Sequence, residues 1–330
     1  TEGRSIESRP PVFIVGMPRS GTKLLRDLLN RHPLVGIPEA ETELLPDWAM
    51  RWPSFGDLEQ PRCWAAFVEH ARQSAYFVYL EEERGIAIDP AGWRLACPDF
   101  SLAGVFEGLC RLHGGAPLSG VWGDKSPGYL HHLPLIFTLF PRARVIHIVR
   151  DPRDQVQSAF KAWHKDRLRS AARWSEGIIA ARDALKDTGR SSMVVRYEDL
   201  VASPAVVLKK ICTLLEITFD PAMLQLGRPS ENLGDTKGQT TVVAGNVEKW
   251  RQTMEPELQK RVQALCAEGL RAHGYPCTHE GPQHTLARTE RQLRQVMDGI
   301  NMIRFDLGAR GVFGSIRFRW RLFSESGRWE

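Results

Sequence analysis

Apolar positions along the chain follow two patterns. Pro11-Val-Phe-Ile-Val15 and Ala143-Arg-Val-Ile-His-Ile-Val149 are short apolar runs that read as buried strands, and each leads through a turn into residues spaced as in a helix. Ser192 to Arg196 reads as another short buried strand. Helical spacing covers Trp163 to Arg190. Ser203-Pro204 ahead of Val206-Val207-Leu208-Lys209-Lys210-Ile211 places a serine cap and a first-position proline on a further helix. Pro256 to His273 predicts a helix that Gly274 ends. From Trp48 to Gly120, Trp64, Phe67, Val68, Tyr76, Phe77 and Tyr79 recur at helical spacing between Pro, Gly and the run Glu81-Glu82-Glu83, which predicts a helical insertion. Strands alternating with helices imply an α/β fold: a mostly parallel central sheet flanked by helices, with ligands at the carboxyl ends of the strands.

The two strand-to-helix turns carry the chemistry. After the first strand come Gly16-Met-Pro-Arg19-Ser20-Gly21-Thr22-Lys23, a glycine-bounded loop whose backbone N–H groups, with the positive end of the helix behind it, suit an oxyanion. The glycine spacing matches the phosphate loop Gly-x-x-x-x-Gly-Lys-Ser/Thr, but Thr22 stands where the lysine belongs. The cation inside the loop is Arg19, whose guanidinium can hold two oxygens of one anion. That argues against an ordinary ATPase or kinase. The plain alternative is a Gly/Pro turn with solvated charges. After the second strand, Arg150-Asp151-Pro152-Arg153-Asp154 opens a helix containing Ser158 and Phe160. Arg150 can reach a phosphate, and Ser158, two turns on, can reach the same group. A surface salt-bridge turn is the alternative there.

Together these segments resemble the sulfotransferases that use 3′-phosphoadenosine 5′-phosphosulfate (PAPS). Pro18-Arg19-Ser20-Gly21-Thr22-Lys23 is similar to the family's Pro-Lys/Arg-Ser-Gly-Thr-Thr loop, with Lys23 as the departure. Arg150 and Ser158 match its 3′-phosphate pair, Val195-Arg196-Tyr197-Glu198-Asp199-Leu200 its adenine-side segment, and Lys249-Trp250 its late Lys-Trp pair. The closest motif style is that of bacterial and protein-tyrosine sulfotransferases. The resemblance implies Arg19 against the transferring group, Ser20, Gly21, Thr22 and Lys23 around the 5′-phosphate, Arg150 and Ser158 on the 3′-phosphate, and Tyr197 near the adenine. Lys23 either adds a phosphate contact or points to solvent. Glu248 stands where the tyrosine-sulfating relatives have a serine, so that serine's role is not transferred.

Gly36-Ile-Pro-Glu39-Ala-Glu41-Thr42-Glu43 resembles the segment whose glutamate before threonine is the family's base, which implies Glu41. A solvated acidic turn is the alternative, and Glu39, His131, His132 and His147 are other candidate bases; His147 reads as a satisfied core residue. Trp122-Gly-Asp-Lys125-Ser-Pro127 resembles the family's Lys-x-Pro segment, implying that Lys125 stabilises the leaving group. Transfer of this kind rests on positioning and electrostatics and needs no metal. The implied activity is transfer from PAPS, with PAP as product, to an acceptor hydroxyl. The aromatic insertion suggests an apolar lid over a small organic or lipid-like acceptor. A nucleotide-dependent kinase and a nucleotide-binding scaffold are the rivals.

Composition agrees. The 330 residues, 42% of them hydrophobic, support a sizeable core, and a formal charge of +5 suits an anionic cofactor but not a nucleic-acid binder. Cys63, Cys97, Cys110, Cys212, Cys266 and Cys277 form no Cys-x-x-Cys pair and read as buried thiols of a cytoplasmic protein, with a leader or anchor ahead of Thr1 left open. The expected organisation is a loose tail over 1–10, a catalytic domain over 11–278 with the insertion at 48–120 on the acceptor side, and a basic amphipathic extension over 279–330. The extension reads as a helix followed by a basic strand-like tail, packed on the catalytic domain or a second subunit, with a membrane surface or an acidic partner as the alternative contact.

Overall fold

The computed structural model describes residues 9–186, 191–230 and 236–325. The first half of the chain runs β1 (Val12–Val15), α1 (Thr22–Leu29), β2 (Val35–Gly36), α2 (Leu45–Arg51), α3 (Pro61–Arg72), α4 (Ala75–Arg84), α5 (Pro90–Ala96), α6 (Leu102–Gly114), β3 (Val121–Lys125) and α7 (Leu133–Leu139). It continues with β4 (Arg144–Val149), α8 (Pro152–Trp163), α9 (Arg167–Leu185), β5 (Ser192–Arg196), α10 (Tyr197–Ala202) and α11 (Pro204–Leu215). Last come α12 (Trp250–Thr253), α13 (Pro256–Ala272) and α14 (Arg288–Glu325).

The five strands pair in the order β2-β3-β1-β4-β5, all parallel. Because successive side chains on a strand point to opposite faces, β1 sends Phe13 and Val15 into one core and Val12 and Ile14 into the other. In β4, Val145 and Val149 join the first core and Ile146 and Ile148 the second. The second core is closed by α1, α10 and α11, and the first by α2 to α6, α9 and α13. Ile14 pairs with Lys125, Val15 with His147, and Val149 with Arg196. The loop after β1, Lys125, Arg150 and Tyr197 therefore leave the sheet at one end. The central β1 has β3 on one side and β4 on the other, which opens the crevice where parallel sheets bind ligands.

Several expectations are corrected. Trp64, Phe67, Val68, Tyr76 and Phe77 are buried core residues, and of the insertion's predicted lid aromatics Tyr79 alone is exposed. Helical spacing brings them inward because α3 and α4 stack on Trp48, Trp93 and Phe106. β5 is an edge strand with Val194 exposed rather than a buried one, since among the described residues only β4 pairs with it. Pro204 opens α11, but the Ser203 side chain makes no capping bond. His147 is buried as expected, yet its Nε2 has no hydrogen-bond partner among the described residues. All six cysteines are free; Cys110, Cys212 and Cys266 are buried, while Cys63, Cys97 and Cys277 are only partly so. The strand-like tail is instead helical, since α14 runs unbroken to Glu325. An isolated strand there would leave its N–H and C=O groups unpaired, and a helix satisfies them internally. Residues 1–8 of the predicted loose tail, the last four of the Trp163–Arg190 stretch, and 326–330 lie outside the described residues. No helix among the described residues is long and apolar enough to cross a membrane.

Candidate active site

The loop after β1 is held open by backbone geometry that its sequence permits at two glycines. Gly16 ends the strand so close to β4 that a Cβ would lie 2.4 Å from the Ile148 carbonyl oxygen, and Gly21, at φ +93°, would put a Cβ 2.4 Å from the Tyr197 ring. Arg19 also takes a left-handed conformation, φ +71°, a cost of about 1 kcal/mol for a residue with a side chain. Ser20 is buried, and its Oγ has no hydrogen-bond partner among the described residues. Thr22 begins α1, whose first N–H groups face the loop.

The turn after β4 is fastened to this loop. Arg150 donates from Nη1 to the Arg19 carbonyl at 3.1 Å, Gln155 Nε2 donates to the Pro18 carbonyl at 2.8 Å, and Arg19 Nε donates to Ser158 Oγ at 3.2 Å. Arg150 itself is buried and stacked over the Tyr197 ring at 4.5 Å. Its Nη2 donates to the Asn246 carbonyl at 3.0 Å, and Asn246 Nδ2 donates to the Tyr197 hydroxyl at 2.8 Å. Arg150 Nε is left without a partner among the described residues. Arg19, Arg150, Ser158, Tyr197 and Asn246 line a narrow cavity of about 60 Å³ that also takes in Lys161, Gln157, Thr241 and Lys249. Asp154 lines it as well; burial pushes its carboxyl up, with Arg150 pulling the other way. Trp250 is seated by a bond from its backbone N–H to Asp154 Oδ1 at 2.9 Å and by the Arg153 guanidinium 3.8 Å over its ring. Glu248 pairs with Arg251 at the surface at 2.8 Å, away from the cavity.

A second, wider cleft of about 690 Å³ opens on the other side of Arg19. Lys125, fully buried at the end of β3, donates from Nζ to Glu41 Oε1 at 2.5 Å, and both side chains line the cleft. Burial lowers the Lys125 pKa, with Arg26 and Lys23 adding to the fall and Glu41 opposing it. Beside Lys125, Asp124 lies wholly inside the protein, and burial pushes its carboxyl up to about 7 against the pull of Ser126 and Lys125. Glu39 is also on the cleft, but its carboxylate is bound by Arg84 and Arg228. Thr22 and Lys23 face this cleft and not the narrow cavity. His131 and His132 line neither space, and His147 is buried against His273, with burial lowering its pKa to about 3.

Arg19, Gly21 and Ser230 border both spaces. The structure thus brings Arg19, Glu41, Lys125, Arg150, Ser158 and Tyr197 to one sheet end. Sequence reasoning missed Gln155, Asn246, Trp163 and Lys165. Trp163 carries the Arg19 guanidinium at 5.5 Å and the Lys165 ammonium at 5.0 Å over its ring, on the wall of the cleft. The signal was present in part: Gln155 and Trp163 lie on the helix that bears Ser158. Among the described residues no group of three His, Cys, Asp or Glu is placed to hold a metal.

The family model described as Sulfotransferase family matches residues 10–221. The protein-tyrosine sulfotransferase of Drosophila melanogaster is 26% identical over 223 residues, 65% of this chain and 40% of its own length. Protein-tyrosine sulfotransferase 1 of Danio rerio is 26% identical over 227 residues, 65% of this chain and 55% of its own. The chain thus spans about half or less of these relatives. Among solved structures, the sulfotransferase domain from the curacin biosynthetic pathway has a TM-score of 0.55 at 22% identity, covering 82% of this chain and 100% of that one. The sulfotransferase domain of the Synechococcus PCC 7002 olefin synthase has a TM-score of 0.52 at 23% identity, covering 82% and 96%. Both share the mostly parallel sheet flanked by helices.

Proposed function

The chain belongs to the sulfotransferase family, and from that footing we propose that it moves a sulfuryl group from PAPS to the hydroxyl of an acceptor held in the wide cleft. The observation that carries this reading is that Arg19 stands where the narrow cavity and the wide cleft meet, hydrogen-bonded to Ser158 on the cavity side. A donor in the cavity and an acceptor in the cleft would present their reacting groups to the same guanidinium.

The residues suit the anionic groups of such a donor. Ser20 Oγ and Arg150 Nε are buried donors lacking partners among the described residues, one in the loop and one at the end of β4. Unmatched buried donors beside a helix N-terminus are what an oxyanion would complete. In this reading Ser20 and Gly21 hold the 5′-phosphate where cavity and cleft meet, with Thr22 reaching it from the cleft side, Arg150 and Ser158 hold the 3′-phosphate, and Tyr197 packs beside the adenine. The donor supplies the sulfuryl group and departs as PAP. Glu41 takes the proton of the acceptor hydroxyl, Lys125 offsets the charge developing on the departing oxygen, and Arg19 holds the oxygens of the group in transit. Lys23, on the cleft side, acts toward the acceptor.

The test is a transfer assay with PAPS and a panel of hydroxylated acceptors, read by mass spectrometry as sulfated product. Product formed with PAPS and not with magnesium-ATP supports the proposal. Phosphorylated product from magnesium-ATP would make the chain a phosphoryl transferase, and nucleotide binding with no turnover of any acceptor would make it a scaffold.

A further inference from the structure

Helix α14 is amphipathic in the inverse sense to a helix packed on a protein core. Its polar side is the one fastened to the body. Arg294 donates to Asp166 at 2.7 Å, Asp298 pairs with Arg169 at 2.6 Å and accepts from the Asp166 N–H at 2.5 Å, and Asn301 Nδ2 donates to the His164 carbonyl at 2.9 Å. Leu293, Val296, Ile300, Ile303 and Leu307 recur every three or four residues on the side facing away. The first four of these are each at least 45% exposed. Such a contiguous apolar stripe on a surface marks an interaction site.

Two occupants suit a stripe of this kind, and the sequence beyond Leu307 decides between them. A coiled-coil partner needs the seven-residue repeat to persist over three or four heptads. Here the positions that continue the repeat are Arg310, Gly314, Arg317 and Arg321, so the apolar seam ends after two. The same stretch of α14 holds Arg310, Arg317, Arg319 and Arg321 against Glu325 as its one acidic residue, interleaved with Phe313, Phe318, Trp320 and Phe323. Arginine mixed with aromatic residues along one helix is the composition of helices that lie in the headgroup layer of anionic membranes.

We propose that α14 docks on an anionic phospholipid surface, its exposed stripe from Leu293 to Leu307 entering the acyl boundary and the positive charge of residues 308–325 matching the headgroups. The helix is anchored to the α8–α9 connection, the same segment that sets Trp163 and Lys165 on the cleft wall. Docking through α14 therefore ties the acceptor cleft to the membrane surface. This inference stands apart from the identity of the donor.

Flotation of the full chain with phosphatidylcholine vesicles, with and without phosphatidylglycerol, tests it. The chain should partition at least about tenfold more to the anionic vesicles, and the binding should weaken as salt rises. Ile300→Asp with Ile303→Asp should reduce that binding about tenfold with the melting temperature retained. Should this variant fail to fold, Arg317→Glu with Arg321→Glu removes the charge alone and should reduce it similarly. Absence of binding, equal binding to neutral vesicles, or binding unchanged by both pairs overturns the proposal. So does a concentration-dependent dimer in sedimentation analysis that Ile300→Asp disrupts while no vesicle is bound, which would make the occupant a second copy of the chain.

Discussion

Glu41 Oε1 lies 2.5 Å from Lys125 Nζ, and the partners differ in exposure: the lysine is 0% exposed and the glutamate 40%. A buried ammonium is costly unless paired, so Glu41 is the counter-charge that favours the protonated Lys125 in a site where burial works against it. In the proposed reaction the same carboxylate then takes the acceptor's proton. Glu41→Gln should lower kcat about 100-fold or more, the usual scale for a lost general base, with PAP affinity largely kept.

The substitution should also move a titration. Loss of Glu41 removes the opposition to the lowered Lys125 pKa, so the ammonium is lost at a lower pH than in the parent. The alkaline limb of the residual single-turnover rate should therefore shift down in Glu41→Gln. A limb that stays in place would separate Lys125 from the reaction.

Arg150→Ala removes the guanidinium that spans Tyr197, Arg19 and Asn246. PAP should bind roughly 10- to 100-fold more weakly, the range of one charge-assisted contact, while 5′-AMP changes little. Equal losses for the two nucleotides would place Arg150 away from the 3′-phosphate.

Gly21→Ala would force a Cβ to 2.4 Å from the Tyr197 ring at a φ of +93°. The ring cannot retreat easily, because its hydroxyl is held by Asn246 and its face by Arg150. The variant should melt several degrees lower and lose most PAP affinity. Wild-type calorimetry would show that the loop and Tyr197 can separate without cost.

Lys23→Ala tests which space that lysine serves. Since it lines the cleft with Glu41 and Lys125, the acceptor KM should rise and PAP affinity should change little. A loss confined to PAP would return Lys23 to the phosphate site.

Asp124 bears on stability. Its carboxyl titrates near 7 when folded and near 3.8 when unfolded, so between those values the folded state binds more protons. Its contribution is greatest below the lower value and is lost as pH rises toward 7. Asp124→Asn should therefore gain stability relative to the parent between pH 5 and about 8, measured by denaturant unfolding at both.

Much of this site could be read from local pattern. Gly16 and Gly21 bracket a loop whose spacing is dictated by backbone contacts, and Arg150 and Ser158 sit at a strand end and two helical turns beyond it, so one stretch of sequence carries each. The strand alternation likewise announces a sheet covered on both faces. What could not be read depends on distant partners. Lys125 and Glu41 are 84 positions apart in sequence. Asn246, which joins Arg150 to Tyr197, is 96 positions from the first and 49 from the second, with no periodicity to flag it. The end of α14 misled for a related reason: alternating arginine and aromatic residues suit a strand only where a neighbouring strand exists, and none is offered to them among the described residues.

The central claim, that this chain binds PAPS through Arg19, Arg150 and Ser158, is tested most directly by calorimetric titration with PAP, 5′-AMP and magnesium-ATP under one set of conditions. The account predicts tight binding of PAP that requires the 3′-phosphate and no added metal, with 5′-AMP far weaker. Preference for magnesium-ATP, or equal affinity for PAP and 5′-AMP, would contradict it.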